Sequence, residues 1–185
     1  CQRWFQNGVA PVANDVEVGD TRSEPSLGLC VFIRPEGEFL ADALSFLARR
    51  VDQLVIATTH EDLSSTALSS QSNTEIVSIE WTDDFSAARN AALSHMSTDF
   101  VVLIDHDEHI ETSTLNAIRT LISEAGAYDI VHCLRINVFN ASDELIESTY
   151  EPRLWPSHLQ PYYRGLIYES FEVKAGVRFD FHDAL

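Results

Sequence analysis

Residues 81–108 read WTDDFSAARNAALSHMSTDFVVLIDHDE, and this stretch decides the fold class. Its middle, FSAARNAALSHM, has the spacing of a helix whose small residues allow close packing on a sheet. The run DFVVLID that follows is continuously apolar and of strand length, which predicts a buried strand. A helix that leads into a buried strand is one unit of a parallel α/β sheet, because parallel neighbours need a crossover.

The same alternation continues on both sides of this stretch. Strands are predicted at LGLCVFIR (27–34), QLVIAT (53–58) and TEIVSIEW (74–81), and helices at EFLADALSFLARR (38–50) and TSTLNAIRTLISEAG (112–126). Beyond them, YDIVHCLRINVF (128–139) and ELIESTYEPRLW (144–155) predict antiparallel strands, and strand and loop follow to the end. The fold class is therefore α/β, with helices on both faces of a mainly parallel central sheet and antiparallel strands in the last third.

The chain divides into a tail and one folded unit. Residues 1–25 are rich in Asn, Asp, Gly, Ser and Pro and predict a tail or linker, whereas 26–185 form a single domain. The N-terminus has neither an initiating Met nor the pattern of an export signal, so we expect a piece of a longer, multidomain chain. The longest apolar run, 27–33, is far shorter than a membrane span, which excludes a transmembrane segment.

The composition is strongly acidic. The chain has 29 Asp and Glu against 12 Lys and Arg, for a net charge of −17, and Lys174 is its single lysine. Nucleic acid is therefore excluded as a partner. Such a charge suits either a salt-tolerant source or a protein that carries divalent metal. Three widely spaced cysteines, Cys1, Cys30 and Cys133, indicate buried thiols in a reducing cytoplasm rather than disulfides.

Two carboxylates stand at the end of the strand FVVLI. Because side chains alternate along an extended segment, Asp105 and Asp107 point to the same side. Carboxylates this close repel each other unless a cation lies between them, and Mg²⁺ and Mn²⁺ prefer oxygen ligands. The alternative is a solvated acidic turn, and the spacing alone leaves both interpretations open.

A second cluster lies where the strand TEIVSIEW leads into the next helix. Asp83 or Asp84 can cap that helix. Arg89 lies within the helix, near the sheet edge where ligands bind in such folds, and can hold a phosphate or pair with an acidic site. A structural role for these residues remains open as well.

Together, WTDDFSAARNAAL and DFVVLIDHDE resemble the signature of family 2 glycosyltransferases, in particular a bacterial branch often fused to tetratricopeptide modules. The stretch PRLWPSHLQPYYRGLIYES (152–170) is similar to a later segment of that family. The resemblance implies a GT-A fold, a Rossmann-like three-layer sandwich, and a metal-dependent inverting transfer of a sugar from a nucleotide diphosphate donor to an unknown acceptor.

The resemblance also implies roles for particular residues. It places a Mn²⁺ or Mg²⁺ ion on the donor diphosphate, held by Asp105, Asp107 and a late histidine, His182. The donor contacts that it implies fall on Asp83, Asp84 and Arg89. For the base that activates the acceptor it implies Glu169, with Asp183 as the alternative.

Three departures from the family pattern affect these expectations. Ala57 stands where the family has an acid that contacts the nucleoside, so His60 becomes a candidate replacement contact. Tyr168 replaces the histidine of a His-Glu pair, and His106 replaces a small residue between the two aspartates. These departures leave a degenerate or non-catalytic nucleotide-binding domain as the alternative function. A phosphohydrolase of the haloacid dehalogenase type is disfavoured, because its catalytic lysine has no counterpart.

Overall fold

A nine-stranded sheet lies at the centre of the part of the chain that the computed structural model describes, which is residues 2–4, 24–33, 41–59, 67–125 and 129–183. Its strands run in the order β4-β3-β2-β5-β8-β7-β1-β6, and β11 pairs with β7. A separate two-stranded sheet contains β9 and β10. The bounds of the eleven strands are β1 Gln2–Trp4, β2 Leu27–Ile33, β3 Gln53–Thr58, β4 Thr74–Ser78, β5 Phe100–Asp105, β6 Glu108–His109, β7 Ile130–Phe139, β8 Leu145–Pro156, β9 Tyr162–Arg164, β10 Ser170–Glu172 and β11 Arg178–His182.

The described residues also form three α-helices, and these cover both faces of the sheet. They are α1 (Ala41–Ala48), α2 (Phe85–Leu93) and α3 (Thr112–Ala125). Short 3-10 turns occupy Ala67–Ser70 and Ser157–Leu159.

The parallel half of the sheet consists of β4, β3, β2 and β5. Its strands pair parallel in register, with Leu29 beside Leu54 on one side and Val102 on the other. All seven residues of β2 are buried, as a strand covered on both faces requires. The predicted mainly parallel sheet is therefore confirmed.

Alternate residues of β2 face two different cores. Leu27, Leu29, Val31 and Ile33 pack with side chains of α1 and α3, whereas Cys30 and Phe32 pack with α2 and β9. The two cores lie on opposite faces of the sheet, because neighbouring side chains of a strand point in opposite directions. Helices on both faces make the three layers that were expected.

The antiparallel half begins where β8 pairs antiparallel with β5 and β7. This confirms the antiparallel strands predicted for the last third. The strand β11 then runs parallel to β7, which brings residues near the end of the chain back to the sheet.

The N-terminal segment contributes one element that was not predicted. Gln2–Trp4 forms β1, which pairs antiparallel with β7 and parallel with β6. The rest of the predicted tail up to residue 23 lies outside the described residues, so the boundary between tail and domain stays a prediction. The same holds for Gly126 as the end of α3. Among the described helices, none has the length and apolar character needed to cross a bilayer.

Candidate active site

A cavity of about 750 Å³ opens at the carboxyl end of the parallel strands. This is the edge where α/β sheets bind ligands, and the volume suits a small-molecule site. Part of its wall is apolar and aromatic, with Phe32, Phe85, Tyr163 and Phe171. The charged and polar side chains that line it are Arg89, Asp105, His106, Asp107, Glu151 and Glu169.

The two predicted carboxylates both face this cavity. The strand β5 ends at Asp105, and the chain then turns, so that Glu108 accepts a hydrogen bond of 2.9 Å from the Asp105 backbone N–H. The side chain of Asp105 is held from both sides, because Arg89 donates to Oδ1 at 2.8 Å and Arg153 to Oδ2 at 3.3 Å. Asp107, two residues on, lines the cavity beside it.

The helix α2 carries Arg89 to the cavity, and the two acidic residues before it have local roles. Asp84 is the N-cap, and its carboxylate accepts a hydrogen bond of 2.9 Å from the Ala87 N–H. Asp83 accepts one of 2.9 Å from the indole N–H of Trp81. Neither aspartate lines the cavity. Their predicted donor contacts thus stay predictions, whereas the capping alternative describes Asp84.

Arg89 is a mostly buried cation between two carboxylates. Besides Asp105, its Nε faces Glu169 Oε1 at 3.7 Å, and its guanidinium lies 5.1 Å from the ring centre of Tyr163. Burial opposes its charge, but Asp105 and Glu169 together hold the pKa of Arg89 above its ordinary value. Arg89 Nε and Glu169 Oε1 are buried without a hydrogen-bond partner, so the site holds polar capacity that the protein itself does not use.

Glu169 reaches the cavity from the loop between β9 and β10. This loop is fastened to the start of α2, since Ser86 donates to the Gly165 carbonyl at 2.5 Å and the Phe85 N–H to the Leu166 carbonyl at 3.2 Å. Tyr168 adopts a left-handed backbone conformation with φ of +59° and is 97% exposed at the cavity rim. Strained backbone of this kind concentrates at functional sites.

The structure adds two residues that the sequence reasoning did not select. Arg153 of β8 is completely buried, and it contacts Glu108 at 2.6 Å and Glu151 at 2.8 Å in addition to Asp105. Burial raises the pKa of Glu108 to about 7, with repulsion from Asp105 adding to the shift and Arg153 opposing it. The signal for Arg153 was the PRLW stretch within the family resemblance, which marked the segment but gave no role to the arginine.

Besides Asp83 and Asp84, the expected site residues His182 and Asp183 lie away from this cavity. His182 lies in β11 with its Nε2 3.0 Å from His132 Nδ1, and Asp183 accepts a hydrogen bond from the Tyr150 hydroxyl. Neither lines the cavity. His60 lies outside the described residues. Their ligand and catalytic roles stay predictions. Of the two predicted bases, Glu169 lines the cavity and Asp183 does not.

Ala57 occupies the end of β3 without reaching the cavity. Its side chain is fully buried in the core under α2, and in register it lies between Phe32 and Val77. At the position where the family resemblance implied a nucleoside contact, this chain therefore has a buried methyl group.

The donor set fits a divalent cation that is shared with a phosphate ligand. In the described part of the chain, no three His, Cys, Asp or Glu side chains are grouped so as to hold a metal by themselves. Mg²⁺ is commonly bound by one or two carboxylates together with substrate phosphates and water. Asp105 and Asp107 supply such a pair at the cavity, so the residues fit an ion that gains its remaining ligands from a bound diphosphate.

Comparison with known proteins identifies the family of this chain. The family model described as "Glycosyl transferase family 2" matches residues 59–185, which is more than half of the chain. The chain belongs to glycosyltransferase family 2. The resemblance stated from the motifs is thereby confirmed.

This family 2 domain is also similar to solved structures and to one curated relative. TarS of S. aureus, residues 1–349, superimposes with a TM-score of 0.59 at 16% identity, over 78% of this chain and 52% of TarS. A TarS structure in complex with UDP-GlcNAc gives a TM-score of 0.58 at 16% identity, over 75% of this chain and 48% of TarS. A TPR repeat-containing protein of Synechococcus elongatus is 28% identical over 101 residues, which is 55% of this chain and 25% of the relative.

These matches establish the fold of the domain. At this identity the TarS likeness shows architecture, and the expected GT-A fold is confirmed by it. The family 2 domain described here spans about half of the TarS structure and a quarter of the curated relative.

Proposed function

We propose that this domain catalyses a metal-dependent, inverting transfer of a hexosyl group from a nucleoside diphosphate sugar to a hydroxyl acceptor. The observation that carries the proposal is the gathering of Asp105, Asp107, Arg89 and Glu169 around one cavity at the carboxyl end of the parallel strands. These residues come from three separate segments of the chain. Their convergence supplies the two things that the reaction needs, which are neutralisation of the leaving diphosphate and a base.

The donor diphosphate would bind at the aspartate pair. Asp105 and Asp107 would hold Mn²⁺ or Mg²⁺, and the ion when bound neutralises charge that develops on the leaving diphosphate. Arg89 lies beside Asp105, and its buried Nε makes no hydrogen bond within the described residues, so it offers a further donor toward an anion. Crystal structures of TarS contain UDP and UDP-GlcNAc, which supports a uridine nucleotide as the first donor to test.

Glu169 is the residue that we propose as base toward the acceptor hydroxyl. Its carboxylate lines the cavity and is mostly buried, with one oxygen lacking a hydrogen-bond partner. A base must come within hydrogen-bond distance of the proton that it removes. The loop that carries Glu169 is fastened to α2 by two hydrogen bonds, and this restricts where the carboxylate can lie.

The test is hydrolysis of UDP-GlcNAc to UDP and free GlcNAc in the presence of Mn²⁺, with water in place of the unknown acceptor, followed with and without EDTA. Asp107→Asn should lower the rate by roughly a hundredfold or more, because a metal contributes several kcal/mol of charge stabilisation. Glu169→Gln should lower the rate while leaving UDP binding in place. Arg119→Met, at the opposite end of the sheet, is the matched control and should keep the parental rate. Metal-independent release by the parent would contradict the proposal.

A donor-binding domain without turnover is the second candidate function. The specific observation that favours it is Ala57, a buried methyl at the end of β3 where the family resemblance implied a nucleoside-binding acid. Binding of UDP with Mn²⁺ by calorimetry, combined with no UDP release over hours, would favour this candidate over the transferase.

We also propose that the domain works in the cytoplasm as one part of a longer polypeptide. The support is the relative from Synechococcus elongatus, whose name describes TPR repeats and of which this chain spans a quarter. Size determination of the native protein from its source tests the length of the polypeptide, and cell fractionation tests its location.

A further inference from the structure

Arg153 is the most deeply buried cation among the described residues, and it bridges three carboxylates. Its side chain is 1% exposed, and its Nη2 lies 2.6 Å from Glu108, 2.8 Å from Glu151 and 3.3 Å from Asp105. The Glu108 side chain is fully buried. A cation and a carboxylate hidden to this degree must be paired, because an isolated buried charge is strongly unfavourable.

Both members of this pair also contact Asp105. Glu108 uses Oε1 toward Arg153 and Oε2 to accept the Asp105 backbone N–H at 2.9 Å. Arg153 reaches Asp105 Oδ2, while Arg89 takes Oδ1. Glu108 thus fixes the backbone of Asp105, and Arg153 fixes one oxygen of its carboxylate. Arg89, which lines the cavity, holds the other oxygen.

Stability alone does not account for this arrangement. Replacing a buried ion pair with apolar residues of similar volume is often neutral or stabilising, because desolvation offsets the attraction between the charges. What an apolar pair could not do is hold a carboxylate in one orientation.

We propose that Arg153 and Glu108 are positioning residues that hold Asp105 in the geometry needed to bind a metal and a nucleoside diphosphate together. Neither side chain need touch the ligand, since they act through Asp105. This inference rests on the proposed function of the cavity. The inference goes beyond the proposed function because it assigns a role to two buried residues that are not among the proposed donor contacts.

The test separates positioning from stability with a double variant, Arg153→Met with Glu108→Gln. Arg153→Met alone leaves Glu108 buried without its cation and should lower the thermal midpoint sharply. Removing the charge of Glu108 as well should recover most of that loss. Binding of UDP with Mn²⁺, measured by calorimetry, should nevertheless remain at least tenfold weaker than in the parent. A purely structural pair would recover both properties together.

Glu108→Gln alone is the second variant, since it keeps Arg153 and the shape of the site. It should keep the fold and weaken Mn²⁺–UDP binding about threefold or more. The matched control is the double variant Arg119→Met with Asp52→Asn, which removes an ion pair at the other end of the sheet and should bind as the parent does.

The outcomes are distinguishable. Parental Mn²⁺–UDP affinity in a folded double variant, or in Glu108→Gln, overturns the positioning role while leaving the proposed function intact. A parent that does not bind Mn²⁺–UDP overturns both.

Discussion

Arginine–carboxylate clusters stand at both ends of the parallel strands, and they differ in burial. At the amino end, Arg119 pairs with Asp52 at 2.8 Å, and the two side chains are 31% and 47% exposed. Asp52 also accepts the Leu27 N–H at 2.7 Å. Asp99 similarly accepts the N–H and hydroxyl of Ser26. These local contacts join the starts of neighbouring strands and remain accessible to water. We therefore interpret this end as structural.

The carboxyl end has the opposite character. Arg89 and Arg153 are mostly or completely buried, and they face the carboxylates of Asp105, Glu108 and Glu169. The pKa shifts differ in the same way: burial raises the pKa of Glu108, whereas hydrogen bonds from Ser26 lower the pKa of Asp99. The carboxyl end therefore differs from the amino end in two ways. Its charged side chains are buried, and some of their polar atoms make no hydrogen bond.

The largest effect that separates the two ends is on stability. Arg153→Met should cost about 3–5 kcal/mol of unfolding free energy, because it leaves buried carboxylates unpaired. Arg119→Met should cost about 1 kcal/mol or less, since its pair is partly exposed. Urea denaturation of both variants measures this difference. Equal losses of unfolding free energy would show that the two clusters contribute equally to stability and would contradict this contrast.

A smaller effect concerns the apolar part of the binding end. Because Ala57 has a buried methyl where the family resemblance implied an acid, a nucleotide bound as proposed would lack one charge-assisted contact to its base, worth roughly 1.5–3 kcal/mol. We expect weak discrimination among UDP, GDP, ADP and CDP in calorimetric titrations with Mn²⁺. A hundredfold preference for one base would contradict this and indicate a replacement contact.

Acid should weaken the contacts of Asp99 at the amino end of the strands. The folded-state pKa of Asp99 lies below its unfolded value, so its stabilisation is complete above about pH 4 and is lost as the pH falls toward the folded pKa. Asp99→Asn should therefore cost about 1 kcal/mol at pH 6 and progressively less toward pH 3. Unfolding curves at several pH values test this, and a cost that grows in acid would reverse the assignment.

Salt should have the smallest effect. With a net charge of −17, exposed acidic groups repel at low ionic strength, and the screening length falls from about 30 Å at 10 mM to about 8 Å at 150 mM salt. We expect the thermal midpoint to rise by roughly 2 °C over that range. A flat or falling midpoint would mean that the acidic residues are already compensated.

Local sequence pattern predicted the strands and side chains at the carboxyl end of the sheet better than the residues that support them. Continuous apolar runs indicated β2, β3 and β5 within one or two residues, because strands covered on both faces have few other solutions. Asp105 and Asp107 both line the cavity as expected, but residues 106–107 form a turn, so the alternation of an extended strand is not what brings them together. Arg89 stood out because cations are scarce in this composition.

The contacts that the sequence did not reveal depend on pairing over long separations. Arg153 reaches Glu108 across 45 residues through the antiparallel pairing of β8 with β5, which no local periodicity specifies. The parallel pairing of β11 with β7 likewise sets His182 beside His132. Strand β1 is three residues long, too short to show a pattern.

Ligand-induced thermal stabilisation of the parent, Asp107→Asn and Asp52→Asn tests the contrast between the two ends most directly. At a hundredfold excess over Kd, UDP with Mn²⁺ should stabilise the parent by about 2.7 kcal/mol. Asp52→Asn should have a lower midpoint but the same ligand-induced shift, whereas Asp107→Asn should lose that shift. Loss of the shift in Asp52→Asn together with its retention in Asp107→Asn would contradict the assignment of the carboxyl end as the binding site.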